Sequence, residues 1–88
     1  MFHTVYILEC ADQTLYTGSA KNITKRIHAH NTTTAGAKYT RVRRPVRLVY
    51  SEVFHGISAA RKREVEIKKL SRAEKLALIK MMKPIVCA

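Results

Sequence analysis

Eighty-eight residues with 17 Lys and Arg against 6 Asp and Glu give a formal charge of +11, which points to polyanionic partners through long-range field and counterion release. A chain of this length forms one domain, residues 1–88, with a small core that buries roughly 60–65% of the unfolded surface. Cys10 and Cys87 are too far apart in sequence to suggest a disulfide framework, the histidines show no zinc-ligand spacing, and no segment reaches the ~20 apolar residues of a membrane span.

The N-terminus carries no charged region followed by a long apolar run, so a cytoplasmic protein with reduced thiols is expected. Thr4 to Cys10, TVYILEC, is short and rich in β-branched and aromatic residues and reads as a strand. A polar break with the turn-former Asp12 follows, then a second strand from Leu15 to Ser19. The two form an antiparallel hairpin, across which Tyr6 and Tyr16 can approach each other. Asn22 is a good N-cap for a helix that runs to about Asn31. Ile23 and Ile27 face the core, with Arg26 and His30 beside that stripe and also one turn apart.

Thr32 to Gly36 ends the helix, and KYTRVRRPVR, from Lys38 to Arg47, reads as a basic loop in which Pro45 disfavours helix. Val46 to Phe54 is a third strand, broken by His55-Gly56. Ser58 can cap a second helix through about Leu70, directing Ala59, Ala60, Ile67 and Leu70 to the core. Ser71-Arg72-Ala73-Glu74 is a capping box that opens a third helix ending before Pro84. The order β-β-α-β-α-α predicts an α/β fold of the α+β type, a small three-stranded antiparallel sheet flanked by helices.

Glu64 lies at the edge of the second helix's apolar face, between Ala60 and Ile67. A carboxylate there is costly unless it binds something. Two partners fit: Lys68 at i,i+4, or a divalent cation, since Mg²⁺ is often held by one or two carboxylates plus waters. Glu66 has Lys62, Arg63 and Lys69 in helical reach and reads as an exposed salt-bridge partner. Arg26 suits a phosphate because its planar fork donates two hydrogen bonds at once. His30 can move a proton near neutral pH. Taken singly, each of these residues also fits an ordinary surface or core role.

In order, Tyr6, then Tyr16-Thr17-Gly18, then helical Arg26 and His30, then helical Glu64, resemble the GIY-YIG nuclease superfamily, in particular its small stand-alone bacterial members. The resemblance runs through YILEC, LYTGS, KRIHAHN, AKYTRVRRPVRLVY and REVEIKKLSRAEKLALI. The first motif stands here as Thr4-Val5-Tyr6, keeping only its tyrosine, and the second has threonine for isoleucine. The resemblance implies a phosphodiesterase acting on DNA, an endonuclease rather than an exonuclease. Glu64 would hold one Mg²⁺ or Mn²⁺, and Arg26 would offset charge on the phosphoryl group. Tyr16 would help activate water, His30 would assist proton transfer or fix the phosphate, and Tyr6 would complete the cluster.

Gly18, Lys38, Tyr39, Arg41, Arg43, Arg44 and Arg47 would lie along the nucleic acid, which is expected to be single-stranded or structured DNA. The basic loop would follow phosphates and so give affinity without sequence choice. No membrane is expected, and long-site targeting would need a protein partner. The competing expectation is a basic nucleic-acid-binding module that keeps the fold without cutting; such a module has no need of Glu64.

Overall fold

The computed structural model describes residues 2–32 and 42–81. Among the described residues three strands and three helices follow one another in the expected order. Strand β1 is Phe2–Glu9, β2 is Leu15–Ala20 and helix α1 is Ile23–Thr32. Strand β3 is Arg47–His55, helix α2 is Ile57–Lys68 and helix α3 is Arg72–Met81. The sheet is antiparallel with order β2-β1-β3, which leaves β2 at an edge.

Strand β1 is central and covered on both faces, so Thr4 through Leu8 are all buried. An uninterrupted apolar run is what such a strand requires. Register sorts its side chains. Tyr6 pairs with Gly18 and Leu8 with Tyr16, so these point to one face; Val5 pairs with Ser19 and Ile7 with Thr17 on the other. Against the first face α1 lays Ile23 and Ile27, which join Tyr6, Leu8, Cys10 and Val46 in one apolar cluster. Against the second, α2 and α3 bring Ala60, Ile67, Leu70, Leu78 and Ile79 onto Val5, Ile7 and Tyr50. Between β1 and β3 the register shifts at Ile7/Leu8, where Tyr50 pairs with Ile7 and Leu48 with Leu8, leaving Val49 as a bulge.

Local chemistry sets most of the boundaries. The β1–β2 turn is closed by Asp12, whose Oδ1 accepts from Thr14 N at 3.1 Å and Thr14 Oγ1 at 2.6 Å. Asn22 caps α1, its Oδ1 accepting from Lys25 N at 3.1 Å. The Ser71–Glu74 box forms as expected: Glu74 N donates to Ser71 Oγ at 3.1 Å and Ser71 N to Glu74 Oε1 at 2.9 Å. Helix α2 departs from expectation. It begins at Ile57 after Gly56, whose φ of 106° suits glycine and sharply redirects the chain, and no side chain caps it. Ser58 therefore falls inside the first turn, and Ala59 is exposed rather than directed to the core. At the other end Leu70 N donates to Ile67 O at 3.0 Å, a tightened last turn that ends the regular helix before Leu70.

Candidate active site

Gly18 organises the first half of the site. It needs no unusual backbone angle; it provides room. A Cβ placed there would lie 2.7 Å from Tyr6 Oη and 3.2 Å from Tyr16 Cε2. The space beside Gly18 is filled by the two tyrosines. Tyr6 is 1% exposed and His30 0%. Tyr6 Oη and His30 Nε2 are 3.0 Å apart. The His30 ring meets Tyr16 edge-on, with centroids 5.3 Å apart. Ile23, Ile27 and His30 fall on one stripe of α1, so the helix that covers the sheet also drives an imidazole into it.

Burial first, then the positive charges of Arg26 and Arg44, lower the His30 pKa to about 4. The imidazole is therefore neutral at pH 7. Burial likewise pushes the Tyr6 phenol up, partly offset by a hydrogen bond from Arg26. The charges of Tyr16 and Glu64 also act on this phenol and raise it further. His30 is fully buried, with its Nε2 at the Tyr6 hydroxyl and its ring against Tyr16.

Glu64 reaches the site from the opposite layer. It stands on α2, across the sheet from α1, and meets the edge strand at the residue after Gly18. Ser19 Oγ donates to Glu64 Oε1 at 2.8 Å, and Lys68 Nζ lies 2.9 Å from Oε2. Burial opposes the carboxylate charge, but the bonds from Lys68 and Ser19 outweigh it and hold the carboxyl below its ordinary range. Arg63, the preceding residue, locks α2 against β3 through Glu52 at 3.1 Å and also pairs with Glu66 at 3.0 Å. Glu66 is thus the exposed salt-bridge partner expected. Ser19 was not anticipated; strand alternation alone would have turned it from Gly18 toward α2.

Among the described residues no group of three or more His, Cys, Asp or Glu could hold a metal ion. A cation here would depend on Glu64 alone. Its oxygens suit Mg²⁺ or Mn²⁺, which accept a single carboxylate with water filling the other positions. The donor set fits a weakly held ion.

Three arginines expected to follow phosphates have partners within the protein. Arg43 pairs with Asp12 at 3.1 Å. Arg44 donates from Nε to His30 O at 2.6 Å and from Nη2 to Ala29 O at 3.4 Å, closing the C-terminal carbonyls of α1. Arg47 donates to Glu9 Oε1 from Nε at 2.9 Å. Asn31 strengthens the same junction, accepting from Val46 N at 2.7 Å and donating to Val46 O at 3.1 Å. This stretch first serves to tie α1 to β3. Lys38, Tyr39 and Arg41 lie outside the described residues.

A tyrosine pair over a glycine, a helical Arg and His behind it and a helical Glu at the sheet edge describe a nuclease-type domain. The family of the GIY-YIG catalytic domain matches residues 2–77, and the chain belongs to that family. Within it the chain is similar to a UPF0213 protein of Syntrophus aciditrophicus, 60% identical over 76 residues that cover 86% of this chain and 87% of that protein. A UPF0213 protein of Staphylococcus saprophyticus is 58% identical over 77 residues, covering 88% and 93%. The solution NMR structure of a UPF0213 protein from Bacillus halodurans shares the fold with a TM-score of 0.62 and 42% identity, over 97% of this chain and 89% of that one. A second NMR structure, of a protein from E. faecalis, has a TM-score of 0.62 and 34% identity over 100% and 96%. No helix among the described residues is long and apolar enough to cross a membrane.

Proposed function

We propose that the protein is a metal-dependent DNA nuclease that hydrolyses phosphodiester bonds at the β2 edge. The observation that carries this reading is a buried Tyr6 phenol bonded to His30 and Arg26, with Glu64 held at the same edge strand through Ser19, the residue after Gly18. Arg26 binds a phosphate oxygen and offsets the charge that grows in the transition state. Tyr16, less buried than Tyr6, faces the attacking water and orients it. Tyr6 is the fixed centre, receiving a hydrogen bond from Arg26 and sharing another with the neutral imidazole of His30. His30 is a positioning residue: it sets Tyr6, and Tyr6 sets Arg26. Glu64 holds Mg²⁺ or Mn²⁺, which when bound supplies a Lewis acid for the phosphate and leaving oxygen.

A charge of +11 supports a polyanionic substrate. The proposed substrate is DNA in the cytoplasm, single-stranded and structured forms included, with any long-site targeting left to a protein partner. One observation favours a second reading, a module that binds without cutting: Glu64 is already neutralised by Lys68. The two separate on Glu64→Ala. A nuclease loses Mg²⁺-dependent cutting while DNA affinity stays near wild type; a binding module has no cutting to lose.

A further inference from the structure

Each oxygen of the Glu64 carboxylate holds a partner before any cation arrives. Ser19 Oγ donates to Oε1 at 2.8 Å and Lys68 Nζ lies 2.9 Å from Oε2. The two partners differ in mobility. The Glu64 side chain is 18% exposed and tied to the sheet edge, whereas Lys68 is 53% exposed on a long flexible stem. A divalent ion at Oε2 would stand beside the Lys68 ammonium, so the two cations repel each other and compete for that oxygen. The mobile partner is the one that yields.

We propose that Lys68 is a resident counter-cation at Glu64, displaced when a divalent ion binds and then free to pair with a DNA phosphate. This rests on the nuclease reading of Glu64. It gives Lys68 a role in each state. Without a divalent ion it masks a carboxylate that would repel the DNA backbone. With one bound, its ammonium joins Arg61, whose charge also reaches Glu64 from the preceding turn. Metal and DNA binding become coupled, and linkage makes the coupling reciprocal.

The test is Mn²⁺ titration of the full 88-residue chain without DNA. Free Mn²⁺ is followed by electron paramagnetic resonance, and amide line broadening at Gly18 and Ser19 reports the site. Lys68→Met is expected to bind Mn²⁺ roughly three- to fivefold more tightly, the scale of a half-exposed ion pair. Lys68→Arg keeps the charge and should stay near wild type. Unchanged or weaker Mn²⁺ binding by Lys68→Met overturns the inference while leaving the nuclease reading intact. Failure of Glu64→Gln to remove the broadening, or its absence from wild type, overturns the metal reading and this inference with it.

Discussion

The two halves of the site are built on opposite principles. Around Tyr6 the groups are buried and close-packed: a phenol raised by burial, an imidazole held uncharged and a glycine that leaves no slack, with the Arg26 guanidinium at their margin. Around Glu64 the partners are polar and nearer solvent: a serine hydroxyl on one oxygen and a half-exposed ammonium on the other. The buried half cannot rearrange without disturbing the core; the edge half can exchange ions at little cost. This contrast divides the labour. The interior fixes where Arg26 and Tyr16 stand, and the edge receives what comes from solvent. Substitutions should therefore affect folding in the first half and binding in the second.

The largest stability effect is expected for His30→Ala, which opens a cavity and removes the partner of a buried phenol. A loss of about 3 kcal/mol in urea unfolding is predicted. A change under ~1 kcal/mol would mean that Tyr6 and His30 are loosely held. Acid should expose the same contact. The folded imidazole has a pKa of about 4 against 6.5 in the unfolded chain, so between these values the unfolded state binds more protons. That contribution is fully present above pH ~6.5, lost as pH falls toward about 4 and flat below; its size is about 2–3 kcal/mol. His30→Ala should flatten this window. The depressed Glu64 and Asp12 carboxyls lose their contribution lower, through the carboxylate range.

Gly18→Ala ranks next, at about 1–3 kcal/mol, because its methyl group would press on Tyr6, which cannot swing away. Its sharper effect should be a shift of the Tyr6 ring signals in NMR spectra. Arg44→Ala should cost about 1–2 kcal/mol by exposing the end of α1. Arg47→Ala, at an exposed ion pair, should change stability by no more than about 0.5 kcal/mol. Equal effects at Arg44 and Arg47 would show that the junction between α1 and β3 is not the clamp described.

Much of this was legible in the chain. Central β1 follows from TVYIL, the hairpin from Asp12, and two helix starts from Asn22 and from Ser71 with Glu74, because each depends on neighbours a few residues away. His30 was legible too: it lies seven residues after Ile23 and three after Ile27, on the core stripe, and residue chemistry drew attention from that position. The start of α2 carries no capping side chain to mark it: Gly56 makes the turn, and Ser58 falls inside the helix. The partners of Arg43, Arg44 and Arg47 could not be read, since Asp12, the α1 carbonyls and Glu9 are brought to them only by tertiary folding. The same holds for Glu64, whose contact with Ser19 spans the sheet edge.

The central claim is that Glu64, at that edge, makes the cluster a nuclease. Wild-type protein and Glu64→Gln should be incubated with labelled single-stranded, duplex and branched DNA in Mg²⁺, Mn²⁺ or EDTA. Cutting by wild type with either metal, none in EDTA and a loss of at least ~10²-fold in the variant is predicted. Equal cutting by the two proteins, or cutting that persists in EDTA, would contradict it.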